Sequence, residues 1–425
     1  MRAEKNNIFY GIDWTLIILY ILLIGFGWMN IYAASVSDES TEIFDLATRS
    51  GKQLLWIILC IPLIIFILFF NSKFYEKYAS ILYLIALISL VGLFIFGKNI
   101  NGARSWYPLG PASIQPSEFA KAFTALAVAK LLSDRQYNLK LIKNQIKAFI
   151  IIFLPAFLIA LQPDMGSVLV YLAFFFVLNR EGLTLNYIII GLVAIVLFLA
   201  TLLFGATHII IGTFTLISFF LFLFLRKNKR YFKFNWHKIL GLYLTIGLYI
   251  FSSSFIYNNV FEQHHRDRFD ILLGISKDTK KIGYNTNQSI QAISSGGFNG
   301  KGFLEGDRTK GKFVPEQDTD YIFSVVGEEW GFLGSTFVIL LFMALLYRII
   351  YLAETHTNKF GRIYGYGVAS ILFLHLLINV GMVIQLLPTV GIPLPFFSYG
   401  GSSLWGFTLL LFIFIRLDAS KGYDL

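Results

Sequence analysis

The residues of this chain that could carry out acid–base chemistry lie in four polar stretches, which are separated by long apolar runs. The stretches are 101–121, 162–166, 257–323 and 387–403. Their carboxylates can take a proton from a hydroxyl group, and their lysine and arginine side chains can stabilise negative charge on a phosphate. A site that combines the two functions must therefore be assembled from residues that are far apart in the sequence.

Glu118 and Lys121 form the first candidate pair. Pro116 and Ser117 are typical of a helix start, with Ser117 as the predicted N-cap. A spacing of three residues then places Glu118 and Lys121 on one helix face. An ionisable pair at a membrane span is energetically costly and is a candidate for function, although a structural ion pair that neutralises itself explains the spacing equally well.

The second and fourth stretches contain residues that interrupt helices. Asp164 lies in a turn between Pro163 and Gly166, where it is either a site residue or a solvated turn residue. Stretch 387–403 contains three prolines and three glycines, so no continuous helix can cross it. Because non-helical backbone near a bilayer must line a cavity or be buried in protein, this stretch predicts a shaped site.

The elements that position these stretches are predicted to be membrane-spanning helices. Hydrophobic residues make up 56% of the 425 residues and charged residues 14%, which a soluble fold would not accommodate. The sequence predicts an all-α polytopic membrane protein with about 10–12 transmembrane helices of about 20 residues each. The twelve candidate spans are 14–34, 53–70, 78–96, 117–132, 148–161, 167–178, 185–204, 209–225, 239–256, 331–350, 364–386 and 402–415.

Lysine and arginine recur in alternate loops between these spans, which predicts the orientation of the chain. The rule places both termini and the basic loop 226–238 in the cytoplasm. It places the acidic loop 35–50 and one large loop, 257–320, outside. Topology therefore explains the net charge of +10 without a nucleic-acid partner. The single cysteine, Cys60, excludes an intrachain disulfide and a zinc site built from cysteines.

Five runs in order resemble the SEDS family of shape, elongation, division and sporulation proteins. They are QPSEFAK (115–121), QPDMG (162–166), QSIQAISSGGFNGKG (288–302), PEQDTDYIF (315–323) and PLPFFSYGGSS (393–403). The runs 387–395 and 302–306 resemble the elongation type more than the division type. The resemblance implies one integral membrane domain over 1–425. The family usually has about ten spans, so a two-helix insertion is expected within 185–256.

The resemblance also implies an activity, which is glycosyl transfer in peptidoglycan synthesis at the outer face of the bacterial cytoplasmic membrane. The implied substrate is lipid II, a disaccharide-pentapeptide on undecaprenyl pyrophosphate. The implied protein partner is a class B penicillin-binding protein, which is a transpeptidase. Membrane lipids are the other implied partners. The rival interpretations are a flippase for the same lipid, a division-type member of the family, and a non-catalytic scaffold.

In the family the essential acid lies in a motif that matches Asp320 here, so Asp320 is the predicted general base. Its rivals are Glu316, Asp318, Glu328 and Glu329. Membrane burial would raise the pKa of Asp320, whereas a helix that starts nearby would lower it. The predicted substrate-binding residues are Arg104, Glu118, Lys121, Asp164, Arg266, Gln288, Ser295 and Ser398.

Two further expectations concern the charge on the leaving group. Lys121 and Arg104 would face the pyrophosphate, with Arg266 or Arg268 as alternatives. A divalent cation, Mg²⁺ or Mn²⁺, is compatible with that role. No ligand cluster in the sequence requires a metal, so no metal residues are predicted. The chain departs from the family at Arg104, because Ser105 separates it from Trp106, where the family often has the basic residue directly before the tryptophan.

Overall fold

The computed structural model describes residues 11–35, 45–100, 102–110, 112–227, 229–261, 263–275 and 283–421. It contains long helices and one small sheet. The helices before the sheet are α1 (Trp14–Ser35), α2 (Arg49–Phe69) and α3 (Ser72–Phe96). Next are α4 (Pro116–Ser133), α5 (Ile142–Ala160), α6 (Met165–Val170), α7 (Phe174–Arg180), α8 (Asn186–Phe204), α9 (Ala206–Lys227) and α10 (Lys229–Phe255). The last are α11 (Gln263–Leu272), α12 (Tyr284–Gly296), α13 (Asp307–Lys310), α14 (Ile322–Glu329), α15 (Gly331–Glu354), α16 (Lys359–Val383) and α17 (Gly401–Ala419).

All twelve predicted spans coincide with helical segments. Among the described residues, ten helices are long and apolar enough to cross a membrane. The two remaining spans are α4, which carries Glu118 and Lys121, and the pair α6 and α7, which one turn of 3₁₀-helix joins at Tyr171–Ala173. The polytopic helical fold is therefore confirmed, and the sixth span is a broken helix.

The sheet is a feature that the all-α prediction lacks. Strands β1 (Lys98–Ile100), β2 (Ala103–Leu109) and β3 (Ala112–Ile114) pair antiparallel in that order between α3 and α4. Tyr107 lies opposite Ile114, and its hydroxyl donates to the carbonyl of Ser89 in α3 (2.7 Å). The sheet therefore packs on the end of α3 and leads the chain into α4.

The chain divides into two compact units. One contains Met1–Leu183 and Tyr284–Leu425, and the other contains Thr184–Gly283. In the first unit α4, α16 and α17 are buried along most of their length, because α1, α2, α3, α5 and α15 pack around them. The second unit consists of α8, α9, α10, a π-helical turn at Ile256–Val260 and α11. The predicted two-helix insertion at 185–256 falls within this second unit and stays a prediction.

Helix α4 begins one residue earlier than its predicted cap. Gln115 is the N-cap, and Pro116 occupies the first helical position, where its missing N–H costs no hydrogen bond. Ser117 is therefore inside the helix, and the prediction that it is the cap is wrong. Its buried hydroxyl instead lies 3.4 Å from that of Ser167 in α6, which joins the two helices.

Candidate active site

Asp320 lies in a non-helical segment two residues before α14, and it is only half-buried. The carbonyls of three consecutive residues there accept hydrogen bonds. Tyr399 N donates to Asp318 (2.8 Å), Ser398 Oγ to Thr319 (2.6 Å) and Asn379 Nδ2 to Asp320 (2.8 Å). The backbone that carries the Asp320 carboxylate is thus fixed at three successive peptides.

The Asp320 carboxylate rests against Gly391. A Cβ built on Gly391, whose φ is +71°, would lie 3.2 Å from Asp320 Oδ2. A side chain at this position would be strained and would crowd the carboxylate. The proline segment, defined as residues 388–399, therefore provides the surface on which the predicted base lies.

Arg49 is a residue of this site that the sequence did not reveal. It is the first residue of α2, and its Nη1 atom lies 2.5 Å from Asp318 Oδ1 and 3.5 Å from Glu316 Oε2. Its guanidinium also lies 5.8 Å from the ring centre of Tyr399. Burial raises the pKa of Asp318, and the charge of Arg49 opposes that rise. The only sequence signal was a basic residue at the end of an outer loop, which the orientation rule does not favour.

Glu118 and Lys121 form a fully buried ion pair in α4. Lys121 Nζ donates to Glu118 Oε2 (2.8 Å) and lies 3.0 Å from His375 Nε2 of α16. It also lies 5.0 Å from the ring centre of Phe407. Only 2% of the Lys121 side chain is exposed, and its ammonium group contacts protein groups. This geometry supports the interpretation of the pair as a structural ion pair.

Asp164 connects the second polar stretch to the proline segment. Its Oδ1 atom caps α6 by accepting from Ser167 N (3.1 Å), and its Oδ2 atom accepts from Gln115 Nε2 (2.8 Å). A Cβ on Gly166 would lie 3.0 Å from the carbonyl oxygen of Val390. Asp164 is therefore more than a solvated turn residue, because the α6 end that it caps contacts the proline segment.

Gln288 and Ser295 lie on α12, beside a second group of buried polar residues. Gln288 Oε1 accepts from Arg308 Nη1 (2.5 Å), and Ser295 Oγ lies 3.5 Å from Glu328 Oε1. Glu328, which is fully buried, accepts from Lys301 Nζ (3.0 Å) and from the backbone N–H groups of Arg308 (3.0 Å) and Thr309 (2.9 Å). Glu328 therefore anchors the loop that precedes the Asp320 segment.

Glu329, the next residue, is also almost fully buried, with 1% of its surface exposed. Burial raises its pKa to about 7, the charge of Glu328 adds to the rise, and the backbone N–H of Leu304 opposes it. Glu329 therefore carries a proton for much of the time at neutral pH, unlike an ordinary surface glutamate.

The two predicted arginines have separate surroundings. Arg104 in β2 is exposed, and its Nη1 atom donates to the carbonyl of Phe94 in α3 (3.3 Å). Arg266 belongs to the second unit, where its Nη1 atom donates to the carbonyl of Asn258 (3.2 Å). Across the residues that the structure describes, no group of three or more His, Cys, Asp and Glu side chains is arranged to hold a metal ion.

Comparison with known proteins identifies relatives over almost the whole length. The family model of the FtsW, RodA and SpoVE cell cycle proteins matches residues 13–223 and 211–423. Peptidoglycan glycosyltransferase MrdB of Escherichia coli K12 is 31% identical over 397 residues, which cover 92% of this chain and 90% of that protein. Peptidoglycan glycosyltransferase RodA of Treponema pallidum is 29% identical over 435 residues, and the match covers 96% of this chain and 98% of the relative.

Two solved structures share the fold. A chain of a peptidoglycan synthase complex superposes with a TM-score of 0.69 at 24% identity, and covers 96% of this chain and 98% of its own length. The rod shape determining protein RodA of Thermus thermophilus gives a TM-score of 0.61 at 22% identity, with 96% and 97% covered. At these identities the likeness establishes the architecture of the chain.

Proposed function

The chain belongs to the FtsW, RodA and SpoVE family of cell cycle proteins, and from this membership we infer that it is a peptidoglycan glycosyltransferase of the bacterial cytoplasmic membrane. The relatives that carry this activity in their names match 92% and 96% of the chain. The runs at 302–306 and 387–395 favour a role in cell-wall elongation and cell shape over division. We assign lipid II as the substrate, with both termini in the cytoplasm and the Asp320 end of the bundle outside.

The reaction joins an acceptor sugar hydroxyl to the anomeric carbon of a donor sugar. As the new C–O bond forms, the bond to the lipid pyrophosphate breaks, and the hydroxyl proton must move to a base. We assign this base to Asp320. The observation that carries the assignment is that three successive carbonyls are held, at Asp318, Thr319 and Asp320, while the Asp320 side chain is only half-buried. Such preorganisation is what proton transfer in a transition state requires.

The remaining predicted residues divide into two proposed roles. Arg104 is the proposed cation for the pyrophosphate, because arginine binds phosphate through two parallel hydrogen bonds. Arg266 and Arg268, which the sequence offers as alternatives, stay predictions. Glu118, Lys121, Asp164 and Ser398, the last of which belongs to the proline segment itself, are proposed to shape the sugar site. Gln288 and Ser295 are proposed to extend that site along α12. A class B penicillin-binding protein that crosslinks the product is the proposed partner, since one structural neighbour is part of a peptidoglycan synthase complex.

The direct test is glycan synthesis by the purified protein after lipid II is added to it. We expect Asp320→Asn to lower the polymerisation rate by about 100-fold or more, in the range that loss of a general base produces. Asp307→Asn is the matched control, because it makes the same chemical change at an exposed residue that pairs only with Lys301 among its described contacts. Near-normal polymerisation by Asp320→Asn would remove Asp320 from the role, and a wild-type protein that forms no glycan would favour lipid transport or scaffolding.

A further inference from the structure

Helix α16 carries two buried polar side chains one turn apart, His375 and Asn379. Residues four positions apart in a helix lie on the same face. Their exposed fractions are 1% and 0%, in a helix that otherwise presents mostly apolar residues and glycine. Because an unsatisfied polar group inside a membrane protein costs several kcal/mol, both side chains need partners within the bundle.

Both side chains bind the same short piece of the proline segment. His375 Nδ1 lies 3.2 Å from the carbonyl oxygen of Pro393, and Asn379 Nδ2 donates to the carbonyl of Ile392 (2.7 Å). A carbonyl can only accept, so Nδ1 of His375 carries the proton. Its Nε2 atom is then the acceptor that Lys121 Nζ needs at 3.0 Å. The buried ion pair of α4 thereby fixes the orientation of His375 and, through it, the position of Pro393.

Asn379 also reaches the segment of the proposed base. Its second Nδ2 hydrogen bond goes to the carbonyl of Asp320 (2.8 Å), so one amide group joins Asp320 to Ile392. Ile392 directly follows Gly391, on which the Asp320 carboxylate rests. A primary amide has two N–H bonds, and both are used here. Asn379 therefore controls the backbone that carries the carboxylate and the backbone that supports it.

We propose that Asn379 is a positioning residue for glycosyl transfer: from within the membrane-embedded part of α16 it sets the register between the Asp320 segment and the proline segment, and so the direction of the Asp320 carboxylate. Asn379 contacts neither sugar nor pyrophosphate in this role. The predicted loss of glycosyl transfer rests on the proposed function. The predicted loosening of the two segments concerns only contacts within the chain. His375 supports the same arrangement from one turn away.

The test uses Asn379→Asp and Asn379→Ala in the full-length protein. The aspartate has the same shape but no N–H donors, whereas the alanine also removes volume. We expect both variants to lower kcat by about 100-fold, as a displacement of about 1 Å at a reacting group does, with KM changed by no more than about twofold. Tyr364→Phe is the control, because it deletes a buried hydrogen bond from α16 to the carbonyl of Leu410 (3.0 Å) at a distance from the site. It should leave kcat within about twofold of the wild type.

A second measurement separates this inference from the proposed function. Backbone hydrogen exchange of peptides covering 315–323 and 388–394 should become faster in both Asn379 variants and stay unchanged in Tyr364→Phe. Wild-type kcat in Asn379→Asp, or unchanged exchange in both peptides, would overturn the positioning role. If the wild-type protein does not polymerise lipid II, the proposed function fails, and the exchange rates still decide whether Asn379 holds the two segments together.

Discussion

At the scale of single residues, acids that are close in the sequence differ in their burial and in the groups that pair with them. Asp318 lies beside the guanidinium of Arg49, and Glu328 accepts from Lys301 and two backbone N–H groups. Glu329 is buried with a pKa raised to about 7. Asp320 is half-buried beside Gly391. Asp318 and Glu328 are therefore engaged in ion pairs, whereas Asp320 combines a backbone held at three carbonyls with a half-buried position, which favours it as the proposed base.

The burial of Glu329 predicts a pH dependence of stability. A carboxyl group whose folded pKa is raised from 4.5 to about 7 holds its proton in the folded state while the unfolded chain releases it. Its contribution is therefore fully present below about pH 4.5 and is lost as the pH rises through about 7, by about 3 kcal/mol in all. Glu329→Gln should remove this dependence, so that the variant is less pH-sensitive than the wild type and more stable at pH 8.

Thermal unfolding of both proteins in detergent at pH 5 and pH 8 measures the difference. Glu305→Gln is the control, because Glu305 is an exposed acid outside α14, in the loop that precedes α13. Equal shifts of Tm with pH in the wild type and Glu329→Gln would show that Glu329 titrates as an ordinary glutamate.

How far residue types predict a site is visible in Arg49 and Asn379. Motif resemblance singled out Asp320, and helical spacing placed Glu118 and Lys121 on one face, where the structure shows them paired at 2.8 Å. The role of Arg49 could not be predicted because its partner, Asp318, is 269 positions away in the sequence. Asn379 is recognisable as a polar residue in an apolar span, but its two acceptors lie on separate segments. Only the fold shows which polar groups meet.

At the scale of elements, α4 depends on its ion pair. Lys121→Met should cost about 3–5 kcal/mol of unfolding free energy, because it leaves Glu118 charged and unpaired in the interior. The double variant Glu118→Gln/Lys121→Met removes both charges and should recover most of that loss. The free energy of unfolding in mixed micelles is the measurement.

An exposed pair provides the comparison for α4. Arg180 and Glu354 are 3.0 Å apart with 42% and 48% of their side chains exposed. Arg180→Gln should therefore cost less than about 1 kcal/mol. A double variant of α4 that is as unstable as Lys121→Met would mean that packing, and not the buried charge, accounts for the loss.

The helices and strands show which sequence patterns predict secondary structure in a membrane protein. Long apolar runs predicted every spanning helix, and basic residues marked their ends. The break at Tyr171–Ala173 was not predictable, because no proline or glycine occurs within those residues and the run stays apolar. The three strands were not predicted because they are only 3 to 7 residues long and because proline and glycine occur within or beside them. Their formation depends on packing against α3.

At the scale of the whole molecule, the distribution of basic residues predicts which side each loop faces. Cys60 is the only cysteine and is buried, so Cys60→Ala provides a background for labelling. Lys312→Cys, in the loop before Asp320, should react with a membrane-impermeant maleimide in intact cells. Arg135→Cys should react only after permeabilisation. Both positions are exposed in the structure. The opposite pattern would contradict the proposed orientation and the external site.

The proline segment links the candidate base to the last helix of the chain. Ser398 and Tyr399, which hold the carbonyls of Thr319 and Asp318, are separated from α17 by one residue. During biosynthesis the ribosome makes Asp320 about 80 residues before these clamps, while translation proceeds at about 5–20 residues per second. A nascent chain therefore spends several seconds in the membrane with Asp320 already made but not yet held by Ser398 and Tyr399. We expect polymerising activity to begin only when the final helix arrives, so that an interrupted translation product cannot draw on the cell's stock of precursor.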